Sequence, residues 1–207
     1  PLSPPKSSAK PRAARAASAP RGADAMLILA SGSPRRKILL QNLMAEFRIV
    51  VPEIDESAVA ARRLTPQGKV RALSREKAKA VARKFPQDSV LAADTVVAQG
   101  LQVLGKPRDR EEAAAMLRSL SGKTHSVWTG VTLLRSGRAV TYAVRTRVRF
   151  RRLSEEEISS YAASGEGLDK AGAYGIQGRA GDFVESLRGE YFNVVGLPLR
   201  RLSRLLG

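Results

Sequence analysis

Apolar and polar positions change period repeatedly between residue 26 and the end of the chain. Met26–Ala30 is a short continuous apolar run, the pattern of a buried strand. Pro34 opens a helical run carrying Ile38, Leu39, Leu40 and Leu43. Phe47–Val51 predicts a second strand that stops at Pro52, and an acidic loop, Glu53–Ser57, follows it. Thr65 before Pro66 reads as an N-cap with proline at the first helical position. Val70, Leu73, Val81 and Phe85 give the long helix behind it an apolar stripe. Ser89–Ala93 predicts a buried strand ending at Asp94. Val96 and Val97 continue it towards Gly100, where a short hairpin returns through Leu101–Leu104. Asp109 and Glu112 mark a capping box for a helix over 110–120, which Gly122 terminates.

The second half alternates at period two. His125–Leu134 and Ala139–Phe150 predict a long hairpin turning at Ser136-Gly137. Ser154 and Glu157 cap a helix running to Ala163. After a glycine-rich stretch, Phe183–Leu187 and Tyr191–Val195 predict another hairpin about Arg188-Gly189, and Leu197–Leu206 predicts a C-terminal helix. Hairpins interleaved with strand–helix–strand units predict an α/β fold: a mixed twisted sheet with flanking helices. Residues 1–25 are Pro, Ala, Ser and basic, with no periodicity. They predict a disordered basic extension ahead of one domain over 26–207.

Composition narrows the chemistry. The 207 residues include no cysteine, which excludes thiolate nucleophiles, disulfides and cysteine-zinc sites and fits a reducing compartment. No apolar run is long enough to span a membrane, and no secretory core is present, so a cytoplasmic location is expected. The formal charge of +17 suits a polyanionic partner. In the body that charge is arginine scattered over many segments rather than one lysine block, so nucleic acid is not the expected primary partner.

The corner Ala30–Arg36 joins strand to helix with two hydroxyls, a glycine and two arginines at a helix N-terminus, a setting that favours phosphate. It lacks the Gly-Lys-Ser/Thr ending of a Walker A loop and the glycine spacing of a dinucleotide fingerprint. Asp94 lies past an apolar strand, where α/β sheets bind ligands. A carboxylate there can hold a divalent cation or take a proton from attacking water. Glu53, Asp55 and Glu56 also follow a strand and, with Asp94, would make an oxygen-only site suited to Mg²⁺ or Mn²⁺. Lys77 or Lys106 can neutralise phosphate charge. His125, the one histidine, reads as structural, and Trp128 as packing. Asp169–Gly178 is built of small residues that let a ligand approach the backbone. Its Gln177 can read a base edge through its amide.

Five motifs together resemble the Maf family of nucleoside triphosphate pyrophosphatases. They are Ser31-Gly-Ser-Pro-Arg-Arg36, Ala93-Asp-Thr-Val-Val97, Gly105-Lys-Pro107, Leu120–Val127 and Asp169–Gly178. The last resembles the dTTP/UTP branch. The resemblance implies an inosine triphosphate pyrophosphatase-like (Maf/Ham1) architecture, two lobes around a cleft. The implied reaction is hydrolysis of dTTP and UTP, and of modified pyrimidine nucleotides, to monophosphate and pyrophosphate with a divalent metal cation. It further implies Asp94 as proton acceptor, Arg35, Thr95 and Gln177 as specificity positions, and Ser31, Arg36, Glu56, Lys77 and Lys106 as cleft residues; in the corner itself, Ser31, Ser33 and the backbone are expected to hold phosphate oxygens. Asp94 and Glu56 would be the metal carboxylates. A house-cleaning role, a link to cell-division arrest and a homodimer are carried as expectations. Two other classes stay open at this point, a basic nucleic-acid-binding module and a non-catalytic septum-formation regulator.

Overall fold

The computed structural model describes residues 26–207; the extension predicted as disordered lies outside the described residues. Seven strands form one mixed sheet: β1 (Leu27–Ala30), β2 (Arg48–Val50), β3 (Ser89–Gln99), β4 (Gln102–Leu104), β5 (Thr124–Arg135), β6 (Arg138–Phe150) and β7 (Val184–Arg188). The order across the sheet is β2-β1-β3-β5-β6-β7, with β4 paired to the far end of β3. β1 runs parallel to β2 and β3, and all other pairings are antiparallel.

The strand alternation sets which helix covers which face. Ile28, Ala30, Val90 and Ala92 meet Ala78 and Val81 of the long helix α3 (Pro66–Lys84). Their neighbours Leu27, Leu29, Leu91 and Ala93 face the other way, onto Leu39 and Leu40 of α1 (Pro34–Gln41) and Leu199 and Leu202 of the last helix, α7 (Leu199–Leu206). Each fully buried aliphatic side chain contributes about 1.5–3 kcal/mol. A second core lies toward the other end of the sheet. There α4 (Arg110–Leu120) and α5 (Glu155–Ser164) pack Leu117, Leu120, Ile158 and Tyr161 against Phe150, Tyr174 and Phe183.

The predicted caps are present. Thr65 Oγ1 accepts from Gly68 N at 3.2 Å, and Ser154 with Glu157 forms a complete capping box. Glu112 departs slightly from its prediction, because its carboxylate accepts from Arg108 N rather than from the N-cap Asp109. Ser136 and Gly137 both take positive φ, 49° and 73°, as a two-residue hairpin turn needs.

Three predictions are corrected. β3 is not broken at Asp94 but runs to Gln99 as one strand, the continuation that Val96 and Val97 predict, because antiparallel β5 pairs it without interruption (Asp94 opposite Gly130); only its parallel partner β1 ends, at Ala30 opposite Ala92. Ser57–Ala60, at the end of the acidic loop, forms a short helix, α2. The third correction is larger: Tyr191–Val195 is a helix, α6, not the second strand of a hairpin. Asn193 is fully buried there, and its Nδ2 donates to Val127 O (3.1 Å) and Thr146 Oγ1 (3.0 Å). Thr146 Oγ1 also bonds the backbone N and O of Glu190. These bonds turn the chain back over the sheet, where a hairpin strand would have left Asn193 unpaired. Among the described residues, no helix is long and apolar enough to cross a membrane.

Candidate active site

The end of β1 creates the site. Beyond Ala92, β3 has lost its parallel neighbour, and β4 pairs it only from Val97 onward. Asp94 and Thr95 lie in that gap. Consecutive strand residues point to opposite faces, yet both line one cavity of about 460 Å³, because the cavity wraps the interrupted edge.

α3 brings Lys77 across one face. Its Nζ lies 2.6 Å from Asp94 Oδ1 and 2.9 Å from Glu56 Oε1. Lys77 and Asp94 are largely withdrawn from water, whereas the Glu56 side chain is 56% exposed. Lys69 and Leu73 line the same wall. Spaced by four, Lys69, Leu73 and Lys77 share one helix face. That spacing is the signal that could have identified Lys69, which sequence reasoning missed.

On the other face, α1 supplies Arg36. Every nitrogen of its guanidinium is engaged: Nε donates to Gly196 O (2.9 Å), Nη2 to Thr95 Oγ1 (3.1 Å) and Nη1 to Ser31 Oγ (3.4 Å). Burial lowers its pKa, against the pull of Asp94. Thr95 Oγ1 in turn bonds Thr129 Oγ1 at 2.9 Å, and Thr129 Oγ1 donates to Asn193 O at 2.9 Å. Arg36 is therefore fixed by a polar chain reaching α6. Arg35 is freer, with one 3.4 Å contact to Asp169 Oδ2. Burial raises the Asp169 pKa, but Lys170 and Arg35 together hold it below its usual value.

The other predicted residues divide. Ser33, Arg35, Arg36, Glu56, Lys77, Asp94, Thr95, Lys106 and Gln177 all border the cavity. Ser31 does not; it is buried behind the corner, where its Oγ accepts from Ser33 N at 3.1 Å and from Arg36. Ser31 thus shapes the loop instead of facing the opening. The acidic cluster breaks up. Glu53 pairs with Lys84 on the surface at 2.9 Å, and Asp55 accepts from Ser57 N at 2.9 Å, so only Glu56 reaches the site. No group of three or more His, Cys, Asp or Glu side chains suited to a metal exists among the described residues.

The glycine-rich loop is anchored from below. Gly172 N donates to Gly105 O at 2.9 Å, joining it to the Lys106 loop. Gly172 has φ +71°, and a Cβ there would lie 2.9 Å from Val97. Tyr174 lines the cavity and meets His125 Nε2 through its hydroxyl at 2.8 Å. His125 is structural, as predicted: it is 2% exposed and packs edge-on against Phe150 and Tyr174. Burial lowers its pKa to about 4, so it is neutral in the fold. The unfolded chain takes up this proton near pH 6.5, the folded chain only near pH 4. Stability should therefore fall as pH drops through that window and level off below it, by about 3 kcal/mol in all. His125→Gln should flatten this part of a denaturation-versus-pH curve; an unchanged slope would remove His125 as its source.

The family model for Maf-like protein matches residues 26–207, the whole described chain. The chain belongs to the Maf-like protein family. Curated relatives include the dTTP/UTP pyrophosphatase of Bacillus cytotoxicus, 50% identical over 179 residues, covering 86% of this chain and 93% of that one. The dTTP/UTP pyrophosphatase of a Geobacillus species is 52% identical over 178 residues, covering 86% and 95%. A looser likeness is to a HAM1 protein from Coxiella burnetii, at TM-score 0.48 and 16% identity over 88% of this chain and 98% of that one. Within a Maf-like chain, the cavity combines cations from α1, α3, the Gly105–Pro107 loop and the Asp169–Gly178 loop with a sheltered carboxylate on β3.

Proposed function

We propose that the protein hydrolyses dTTP and UTP to the nucleoside monophosphate and pyrophosphate. The relatives that share about half its residues over most of both chains carry that activity in their names. The observation that carries the reading is the sheltered Asp94–Lys77 pair at 2.6 Å, in a cavity otherwise lined by Arg35, Arg36, Lys69 and Lys106. A triphosphate needs several cations, and water attack on it needs a carboxylate withdrawn from solvent.

In this reading Asp94 takes the proton of the attacking water. A new oxygen–phosphorus bond forms as the α–β bridge breaks and pyrophosphate leaves. Lys77, held between Asp94 and Glu56, meets the charge that develops on the phosphate oxygens. Lys106, between a glycine and a proline, presents a second ammonium. Arg36 is already fixed and needs no reordering to meet the triphosphate. Gln177, exposed on the glycine-rich loop beside Gly175 and Gly178, offers an amide donor and acceptor to a pyrimidine edge, with Arg35 and Thr95 as further specificity positions.

The donor set fits a hard divalent cation. Asp94 and Glu56 offer only oxygen, and Lys77 holds one oxygen of each within 3 Å of a single ammonium. Mg²⁺ characteristically takes one or two carboxylates and completes its shell with phosphates and water. When bound, it would neutralise phosphate charge and orient the triphosphate.

The test is a screen of nucleoside triphosphates read by pyrophosphate release. dTTP and UTP should lead it, a chelator should abolish turnover, and Mg²⁺ or Mn²⁺ should restore it. Release of single phosphates would overturn the α–β cleavage.

A further inference from the structure

A second cavity, of about 640 Å³, opens between β6, Glu190 and α7, and shares no lining residue with the candidate active site. Arg200, Arg201 and Arg204 border it from one helix. At i, i+1 and i+4, their side chains rise along one side of α7. The one acid on the lining is Glu190, whose Oε1 accepts from Arg200 N at 2.9 Å. None of the three guanidiniums forms an ion pair with any described carboxylate. Arg145 also borders the groove, but its guanidinium turns away to Ser126 and the Trp128 ring.

The floor carries an independent signal. Tyr142 is 4% exposed, and its hydroxyl is buried with no hydrogen-bond partner among the described residues. A buried hydroxyl left unpaired forfeits its bond to water without replacing it. The Arg201 guanidinium lies over the Tyr142 ring, 4.2 Å from its centre. Burial raises the tyrosine pKa, with Arg201 opposing and Glu190 adding, so the hydroxyl remains a donor and lies within electrostatic reach of both groove residues. Val140, Val144 and Leu205 make the remaining wall apolar.

We propose that this groove is a second anion site, separate from the catalytic cavity, that binds adjacent phosphates, either free pyrophosphate or the phosphate tail of a nucleotide. Three guanidiniums supply the charge, and each has the forked donors, that an oligophosphate takes. Tyr142 adds a donor without an acceptor among the described residues; its hydroxyl is sealed from water here, so Arg201 must lift from the ring before a phosphate can reach it. The volume exceeds what pyrophosphate fills and accommodates a nucleotide, with its sugar and base against the apolar wall.

Isothermal titration of the full chain with inorganic pyrophosphate tests this without depending on turnover. The chain should bind two molecules, one in each cavity. Arg201→Ala combined with Arg204→Ala should bind one and keep its hydrolytic activity at saturating substrate. Tyr142→Phe should still bind two, with the groove weakened about tenfold. One molecule bound by the parent chain, or two bound undiminished by the double variant, would overturn the site. If the double variant misfolds, Tyr142→Phe alone decides, and unchanged affinity overturns the proposal. Repeating the titration with a UTP analogue uncleavable at the α–β bridge identifies the source. Tighter binding than pyrophosphate assigns the groove to a nucleotide, and equal binding assigns it to pyrophosphate.

Discussion

Asp94→Asn is expected to lower kcat on dTTP and UTP by about a thousandfold or more while leaving the fold intact. General-base catalysis alone accounts for about 10²–10⁴ in rate, and the same substitution removes one of the two carboxylates proposed to hold a divalent cation. The shape is kept, since Asn retains an oxygen that can accept from Lys77. Removing one partner of a buried ion pair is usually costly because a charge is left unpaired. Here Glu56 remains at 2.9 Å from the Lys77 ammonium, which limits that penalty. The melting temperature should therefore fall only slightly while turnover collapses. Glu56→Gln supplies the comparison. Its side chain is half exposed, and Asp94 still holds Lys77 without it, so its loss should be the smaller. Single-turnover kinetics on both variants would separate the two. Intact turnover in Asp94→Asn would remove Asp94 as the base.

What the chain revealed by itself was what neighbours in sequence decide. Period, caps and turn residues located almost every element, because Thr65-Pro66, Ser154 with Glu157, and Ser136-Gly137 act within a few residues of themselves. The phosphate-like corner at Ala30–Arg36 was legible for the same reason. The different duties within it were not. Arg36 donates to Gly196 O, 160 residues away, and Ser31 supports that arginine from behind the loop. The acidic run Glu53–Glu56 looked like one cluster, yet Lys84 and the backbone of Ser57 draw two of its carboxylates off the site. Tyr191–Val195 misled for a related reason. Its local pattern suits a strand, but the buried amide of Asn193 finds its partners only on β5 and β6. Long-range polar anchors leave no periodic trace, and in this site they fix both Arg36 and the helix that backs it.

Gly130→Ala should be strongly destabilising, and should cost activity without touching any reactive group. Gly130 stands opposite Asp94 on β5. A Cβ there would lie 2.2 Å from Val70 O, 2.4 Å from its carbonyl carbon and 2.9 Å from Arg71 N. These are main-chain atoms of α3, so no side chain can swing aside. The helix must move off the sheet, and it is the helix that carries Lys69 and Lys77. Overpacking of this kind costs about 1–3 kcal/mol and occasionally more. With backbone as the obstacle, the upper end is expected, a fall in Tm of about 10 °C for a domain of this size. A displacement near 1 Å between a catalytic group and its partner costs about a hundredfold in rate, so kcat should drop well beyond what unfolding explains at a temperature where the variant remains folded. Gly105→Ala is the control for stability, since nothing lies within 4 Å of a Cβ there. Thermal melts with assays at 15 °C below each midpoint would distinguish the two effects. If Gly130→Ala keeps both the stability and the rate of the parent, the close seat of α3 on β5 is not what aligns Lys77 with Asp94.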